Sequence, residues 1–231
     1  MSEFKDAHLT RQLDIIPMSS LDTPVWIIGC GAIGSFVALQ LAKMGLWDLH
    51  FVDPDTVSIE NMSCQFFRHS DIGKPKVSAL RELLFDFTVD FEASLHYQKW
   101  GKDLPMRGIV IAAVDDMAVR KHIFDHCTTD FRITHFIDPR MGAETALMYV
   151  MKPQERRDRE TYAKTIYTDA EAIQERCTAK STIYTANLLS GLVVKAVKDI
   201  ITKSDSYPRV AQWAIGLDEQ KIFRGGSGVR P

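Results

Sequence analysis

The sequence predicts a Rossmann-like α/β fold, with a mostly parallel sheet that has helices on both faces. Three observations predict it: a glycine turn between an apolar run and a helical pattern, a second strand at crossover distance, and a continuing alternation of strand and helix patterns. Such alternation is typical of parallel strands joined by covering helices. The 231 residues, 45% of them hydrophobic, suffice for one sizeable core. We therefore expect a single domain over residues 1–231.

The first unit of this fold is the clearest. Residues 24–29 (PVWIIG) form a short apolar run with branched side chains, and residues 36–46 (FVALQLAKMGL) repeat apolar side chains at helical spacing. Residues 49–53 (LHFVD) follow as a second strand, which completes a βαβ unit. The later pattern predicts helices at 75–86 and 116–126 and strands at 91–97, 108–114 and 133–138.

The last third of the chain predicts an antiparallel extension. Residues 144–151 (ETALMYVM) read as a further strand, and residues 210–224 as a closing hairpin around Asp218 and Glu219. A charged crossover loop is expected at 152–176, because residues 152–164 show no apolar face and should be solvated. The longest helix is expected between 178 and 203, and 225–231 as a flexible tail.

Composition excludes several classes of function. The formal net charge of -2 gives no electrostatic basis for a nucleic-acid or anionic-membrane partner. The chain contains no transmembrane-length apolar run and no secretory pattern, so a cytoplasmic location is expected. None of the four cysteines stands in a CxxC pair or a Cys/His cluster, and structural zinc is not expected.

A nucleotide site is predicted at the first glycine turn. Gly29, Gly31 and Gly34, with Ala32 and Ile33 between them, follow a strand and open a helix. Glycines permit close backbone approach to a phosphate, and the helix N-terminus supplies free N–H groups. Asp53, at the end of the next strand, can accept hydrogen bonds from ribose hydroxyls. This fingerprint by itself favours NAD.

Further motifs follow in an order that resembles the ThiF/MoeB/HesA family, which is related to ubiquitin-activating enzymes. Residues 53–57 (DPDTV), 61–65 (NMSCQ) and 71–77 (DIGKPKV) resemble its D-x-D-x-V, N-L-x-R-Q and D-x-G-x-x-K patterns. Residues 114–120 (VDDMAVR) resemble its T-D-N-x-x-x-R element, and residues 10–12 (TRQ) its N-terminal R-Q element. The resemblance covers nearly the whole chain.

The resemblance implies an activity and a set of roles. The activity is ATP-dependent adenylation of the C-terminal carboxylate of a ubiquitin-like or sulfur-carrier protein with a glycine-ended tail. Cations and Mg²⁺ would neutralise the phosphates while pyrophosphate leaves. The implied residues are Lys76 on the phosphates, Asp115 as the Mg²⁺ ligand, Asn61 and Gln65 on phosphate or ribose oxygens, Asp55 and Arg120 in the nucleotide site, and Arg11 supplied by the partner of a homodimer.

One position departs from the family pattern. Cys64 stands where the arginine of N-L-x-R-Q is expected, so a guanidinium on the phosphates is missing. Arg68, one turn further on, or Arg140, after a predicted strand, could supply that charge. Asp116 in place of the family's asparagine is a second, milder departure.

A candidate acyl acceptor follows the charged segment. Cys177 directly precedes the long helix, where family members that form thioesters carry their cysteine. A helix N-terminus and the flanking Arg176 and Lys180 favour the thiolate. Cys30 and Cys127 are expected to be packing residues instead.

Two alternatives to a thioester-forming adenylating enzyme remain at this stage. A catalytically weak ThiF-like subunit or scaffold would explain Cys64. An NAD-dependent oxidoreductase would explain the glycine turn and Asp53, but it has no use for Asp55, Lys76 and Asp115 in that order.

Overall fold

An eight-stranded sheet forms the centre of the chain. The structure, a computed structural model, describes residues 7–88, 93–167, 181–203, 211–217 and 221–225. The strands are β1 (Val25–Ile28), β2 (Leu49–Val52), β3 (Ala93–His96), β4 (Gly108–Ala112), β5 (Ile133–Gly142), β6 (Thr145–Met151), β7 (Ala211–Gly216) and β8 (Lys221–Gly225). Their spatial order is β3-β2-β1-β4-β5-β6-β7-β8.

This topology confirms the predicted fold class. The first five strands pair in parallel, and β5 to β8 pair antiparallel as the C-terminal extension. β1 lies between β2 and β4, so the strand order reverses direction at β1. Ligands of open α/β sheets bind at such a switch point, beyond the carboxyl ends of the strands.

Helices cover both faces of the sheet. They are α1 (Ala32–Met44), α2 (Lys76–Phe85), α3 (Met117–Thr129), α4 (Arg156–Ala163) and α5 (Ile183–Ile201). One apolar layer joins Val25 and Ile27 of β1 to side chains of α1, α2 and α5. The other joins Trp26 and Ile28 to side chains of α3 and α4. The alternation along β1 places successive side chains on opposite faces, as the pleat of a strand requires.

The expectation of a solvated loop at 152–164 is wrong, because residues Arg156–Ala163 form helix α4. Only a narrow part of this helix is buried: Asp158 and Tyr162, four residues apart, are 2% and 0% exposed. Asp158 accepts a hydrogen bond from the backbone N–H of Lys152 (3.0 Å). A helix anchored by one carboxylate and one tyrosine shows no apolar stripe in its sequence. Residues 168–176 of the expected loop lie outside the described residues.

Other sequence-based boundaries agree with the structure to within a few residues. The expected long helix is α5, but it begins at Ile183, six residues after Cys177, so Cys177 does not directly precede it. The closing hairpin is formed by β7 and β8. Asp218 and Glu219 of its turn, and residues 226–231 of the expected tail, lie outside the described residues. Gly225 is the last residue of β8 rather than the first residue of a tail.

Three histidines in the sheet have low pKa values. His50 and His96 stack on Trp26, with ring centroids 4.0 and 5.0 Å from the indole. Burial lowers the pKa of both, although Asp48 partly opposes the effect at His50. Burial, aided by Lys152, lowers the pKa of His135 to about 4. Each histidine is therefore harder to protonate in the folded chain than in the unfolded chain.

We expect the protein to lose stability on mild acidification. The unfolded chain binds these protons below about pH 6.5, whereas the folded chain binds them only at lower pH. The free energy of unfolding should be flat above pH 7 and fall by about 2 kcal/mol by pH 5. Urea unfolding at pH 7.5, 6 and 5 measures it, and His96→Phe, which keeps a ring in the stack, should reduce the slope. Equal or greater stability at pH 5 would contradict the assignment.

Candidate nucleotide site

The glycine turn after β1 is shaped by close backbone contacts. Gly29 has φ of +92°, and a Cβ there would lie 2.5 Å from the carbonyl oxygen of Ala113. A Cβ on Gly34 would lie 1.9 Å from the carbonyl oxygen of Gly29. Gly31, the N-cap of α1, differs: the nearest atom to its added Cβ is Gln65 Nε2 at 3.8 Å. Two glycines therefore serve the fold, whereas Gly31 leaves open space at the helix N-terminus.

Alanine at Gly34 and alanine at Gly31 should have different effects on stability. Gly34→Ala forces a methyl group into a backbone carbonyl, so it should lower the free energy of unfolding by at least about 2 kcal/mol. Gly31→Ala meets no such contact and should stay within about 0.5 kcal/mol of the parent. Urea unfolding of both variants measures the difference. Equal losses would show that the turn is not packed as described.

Asp53 holds the glycine turn to the end of β2. Its Oδ2 accepts the backbone N–H of Cys30 (2.7 Å), and its Oδ1 accepts that of Asp55 (2.8 Å). The side chain is nearly buried, and burial raises the pKa of Asp53 while the two N–H donors oppose the rise. Asp53 thus has a structural function that sequence reasoning missed. Its contact with a ribose stays a prediction.

Lys76 and Asp55 form an ion pair at the same edge of the sheet. Lys76 Nζ lies 2.9 Å from Asp55 Oδ2, and the side chains are 9% and 62% exposed. The backbone N–H of Lys76, at the start of α2, donates to the carbonyl of Asp55 (2.9 Å). The lysine charge also acts on Cys30 and Asp53. The structure therefore brings the predicted phosphate lysine next to the glycine turn.

The two amide side chains of the predicted site differ in their partners. Asn61 Oδ1 accepts the backbone N–H of Ser58 (2.9 Å) and closes a capping box on the turn Ile59–Ser63. Gln65 lies beside Gly31, and its Oε1 is buried with no hydrogen-bond partner in the described part of the chain. Buried polar atoms without partners are costly. Gln65 therefore has an acceptor available for a ligand donor.

Asp115 and Asp116 follow β4 and face solvent. Asp116 is the N-cap of α3 and accepts the backbone N–H of Val119 (2.9 Å). Asparagine and aspartate both cap helices well, so this departure from the family pattern keeps the local structure. Asp115 remains as the exposed carboxylate. In the described residues no three His, Cys, Asp or Glu side chains are grouped to hold a metal ion.

Arg120 is buried below this edge rather than exposed in it. Its guanidinium donates to the carbonyls of Ala112 (2.8 Å), Pro139 (3.3 Å) and Val114, and to the carboxylate of Asp138. Burial, reinforced by the charge of Arg140, lowers the pKa of Arg120 to about 10, so it stays charged near neutrality. These contacts support the ends of β4 and β5. Nucleotide binding by Arg120 stays a prediction.

Arg68 and Arg140, the two candidate replacements for the arginine missing at position 64, both form ion pairs. Arg68 pairs with Asp71 (3.1 Å) and with Asp86 (2.8 Å). Arg140 pairs with Asp138 (2.7 Å) and is 8% exposed. Cys64 itself is 9% exposed and follows the turn that contains Asn61. The missing charge is therefore not replaced by a solvent-exposed, unpaired guanidinium at either position.

Of the two remaining predicted site residues, Arg11 lies far from the glycine turn and Cys177 lies outside the described residues. Leu9 and Gln12 contact Gly45 and Met44, with Gln12 Nε2 2.6 Å from the Met44 carbonyl. Exposed Arg11 is thus held near the C-terminal end of α1, whose 13 residues separate it from the glycine turn by about 20 Å.

The prediction that Cys30 and Cys127 are packing residues is confirmed. Cys30 and Cys127 are fully buried. Burial is the main cause that raises the pKa of both thiols well above the ordinary value. Both should therefore stay protonated near neutrality and behave as small apolar side chains.

The chain matches one protein family over most of its length. A family model described as "ThiF family" matches residues 19–220. The chain is 33% identical over 113 residues to the sulfur carrier protein ThiS adenylyltransferase of Escherichia coli K12, covering 46% of this chain and 45% of that protein. It is 40% identical over 72 residues to ubiquitin-like modifier-activating enzyme 5 of Dictyostelium discoideum, covering 31% and 19%. The match thus spans less than half of each relative.

Solved structures support the fold. A crystal structure of PaaA superposes with a TM-score of 0.78 at 16% identity, covering 98% of this chain and 75% of that chain. Escherichia coli MccB with ATP gives a TM-score of 0.77 at 17% identity, covering 100% of this chain and 74% of that chain.

None of the helices in the described residues combines the length and the hydropathy that a membrane span requires.

Proposed function

Because this chain belongs to the ThiF family, we propose that it uses ATP to adenylate the C-terminal carboxylate of a ubiquitin-like or sulfur-carrier protein. The observation that carries the proposal is the position of Lys76, nearly buried beside the glycine turn and paired with the exposed Asp55. An ammonium at that point suits a triphosphate, whereas hydride transfer to or from NAD does not require it. The names of the related adenylyltransferase and activating enzyme support the same reaction.

The proposed chemistry is a nucleophilic displacement at phosphorus. One carboxylate oxygen of the tail bonds to the α-phosphorus of ATP, and the bond from that phosphorus to the bridging oxygen of the β-phosphate breaks. Pyrophosphate leaves with that oxygen, and an acyl-adenylate remains. Gly31 and the free N–H groups of α1 would receive phosphate oxygens. Lys76 would stabilise the charge that develops as pyrophosphate departs.

One residue at the carboxyl end of the parallel strands, Asp115, is suited to bind Mg²⁺. Asp115 is an exposed carboxylate after β4, and a hard oxygen donor of this kind suits Mg²⁺, which commonly takes its other ligands from phosphates and water. The ion would supply charge neutralisation on the phosphates. Asp115 would hold it, with no other carboxylate required.

Capture of the acyl group on Cys177 is the proposed second step. The Cys177 thiolate would attack the acyl carbon of the adenylate, the bond to the phosphate oxygen would break, and AMP would leave. A thioester between the tail and Cys177 would result. The positive charges of Arg176 and Lys180, close to Cys177 in the sequence, support this step because they favour the thiolate.

We expect Arg11 to act across a homodimer interface, because about 20 Å of α1 separates it from the glycine turn of its own chain. Mixing Arg11→Ala and Lys76→Ala subunits should restore about a quarter of the parent activity, since half of the dimers would contain one intact site. Pyrophosphate exchange measures the recovery, and each variant alone is the control. No recovery, or a monomer by light scattering, would contradict the assignment.

Ligand-dependent stability and exchange test the adenylation proposal together. MgATP at about 100 times its Kd should raise the Tm by about 5–10 °C, and NAD should not. With a carrier protein, the enzyme should exchange labelled pyrophosphate into ATP, and Asp53→Ala should weaken ATP binding. Stabilisation by NAD alone would identify an oxidoreductase.

A catalytically weak subunit is the second candidate function. It is favoured by Cys64 at the arginine position, together with the ion pairs that engage Arg68 and Arg140. Such a subunit would bind MgATP weakly or not at all and would show no exchange. Restoring the guanidinium by Cys64→Arg should then increase exchange.

A further inference from the structure

A buried serine joins the start of α1 to the segment that carries Gln65. Ser35 lies in the first turn of α1 and is 0% exposed. Its Oγ accepts the backbone N–H of Phe66 (3.0 Å), which is 31 residues further along the chain. Serine hydroxyls inside helices commonly bond within their own helix, whereas this one accepts a donor from a different segment. The contact fastens residues 65–66 to the start of α1.

Two further contacts restrict the same segment. The ring of Phe66 packs on that of Phe36, with ring centroids 5.6 Å apart, and Phe36 is itself buried in α1. The backbone N–H of Gln65 donates to the carbonyl of Asn61 (2.9 Å), which ties Gln65 to the turn before it. The backbone of Gln65 is thus held on both sides, so the direction of its side chain is restricted.

The amide of Gln65 lies at the open side of the glycine turn. Its Nε2 is the nearest atom to a Cβ added at Gly31 (3.8 Å), and its Oε1 is buried with no hydrogen-bond partner among the described residues. A buried acceptor without a donor is costly. On MgATP, Nε2 can donate to a phosphate oxygen, and Oε1 can accept from a ribose hydroxyl, the adenine amino group or water bound to Mg²⁺. Both ends of the amide therefore suit this ligand.

We propose that Ser35 is a positioning residue for nucleotide binding: through the N–H of Phe66 it holds Gln65 where the amide of Gln65 meets bound ATP. The inference deepens the proposed ATP site and rests on it. Ser35 is fully buried and needs no contact with the ligand. Its hydroxyl should matter for ATP only while Gln65 is present, and this dependence separates the role from a general effect on the packing of α1.

Calorimetric titration with MgATP tests this dependence in Ser35→Ala, Gln65→Ala and the double variant. Ser35→Ala should raise the Kd about five- to tenfold, because Gln65 is then free to leave the turn, and Gln65→Ala should raise it at least about tenfold. The double variant should bind MgATP no more weakly than Gln65→Ala alone, since Ser35 acts through that side chain. Additive losses would overturn the inference, because Ser35 would then act on α1 directly.

Ser190→Ala is the matched control. Ser190 is also 0% exposed, and its hydroxyl donates to the carbonyls of Ala186 (2.7 Å) and Ile33 (3.2 Å). It therefore links α5 to the first turn of α1 rather than to the segment of Gln65. Its Kd for MgATP should stay within about twofold of the parent. The same loss in Ser190→Ala and Ser35→Ala would assign the effect to the packing of α1 and overturn the inference.

Amide hydrogen exchange tests the contact without any ligand. Exchange at Phe66 should accelerate at least about tenfold in Ser35→Ala, with β1 and β4 unchanged, and an unchanged rate at Phe66 would overturn the inference. Should Ser35→Ala not fold, the same comparisons apply to Ser35→Cys, whose sulfur is a weak acceptor. Pyrophosphate exchange by the parent judges adenylation separately. MgATP binding without exchange would contradict adenylation alone, whereas a parent that binds no MgATP would overturn both proposals.

Discussion

Replacing Lys76 with methionine is expected to slow ATP–pyrophosphate exchange by about 100- to 1,000-fold without unfolding the protein. Loss of one donor aimed at developing charge commonly has an effect of this size. Methionine keeps most of the aliphatic stem, which is the part that the packing contacts. Asp55, left without its partner, is 62% exposed and stays solvated, so the stability cost should be about 1 kcal/mol or less.

The neighbouring lysine provides a matched control. Lys74 Nζ pairs with Asp71 (3.3 Å) and Glu82 (2.6 Å) on the outside of the same segment, and its side chain is 40% exposed. Lys74→Met should stay within about twofold of the parent exchange rate, because the buried Asp71 keeps its pair with Arg68 (3.1 Å) and the exposed Glu82 stays solvated. Melting temperatures of both variants verify folding. Parent-level exchange in Lys76→Met, or the same loss in both variants, would remove Lys76 from the reaction.

Sequence reasoning worked best where a local pattern carried the information. The glycine turn requires a strand before it and a helix after it, and the structure has both in β1 and α1. The close approaches at Gly29 and Gly34 explain why these positions lack side chains. Apolar periodicity also identified α5, and alternation of strand patterns identified the hairpin of β7 and β8.

Elements that depend on tertiary partners were harder to predict. β5 extends to Gly142, beyond the predicted end at 138, because β6 pairs with it antiparallel as far as Thr145. Helix α4 escaped prediction because its anchor, Tyr162, is buried through a hydrogen bond to Asp138 on a distant strand. Neither partner can be inferred from the charged segment itself. Hydrophobic periodicity does not detect a helix whose one fully buried aromatic side chain, Tyr162, packs among rings of other elements.

The same distinction applies to the site. Motif order predicted Asp53, Asp55 and Lys76 at one edge, and in the structure Asp55 contacts both of the others. The bond from Cys30 N–H to Asp53 and the buried network of Arg120 and Arg140 depend on side-chain directions that a motif does not specify. Arg120, Asp138 and Tyr162 are far apart in the sequence, and one sequence does not show that their side chains meet.

Alanine at Cys177 should abolish a reductant-sensitive adduct between enzyme and carrier while pyrophosphate exchange continues. Adenylation precedes thiol capture, so removing the sulfur stops only the second step. The expected loss of adduct is complete, because none of the other cysteines is suited to replace it. Cys30 and Cys127 are buried with raised pKa values, and Cys64 is 9% exposed. Non-reducing electrophoresis after incubation with carrier and MgATP measures the adduct.

Cys127→Ala and Cys64→Ala are the matched variants for this experiment. Cys127 lies on the buried face of α3, so its replacement should lower stability slightly and leave the adduct intact. Cys64 follows the turn that contains Asn61, so its replacement separates a nucleophile at the nucleotide site from one at Cys177. An adduct that survives Cys177→Ala but disappears in Cys64→Ala would move the nucleophile to the phosphates. If exchange is fast and no variant, nor the parent, forms an adduct, the acyl-adenylate is released to an external nucleophile and Cys177 has no covalent function.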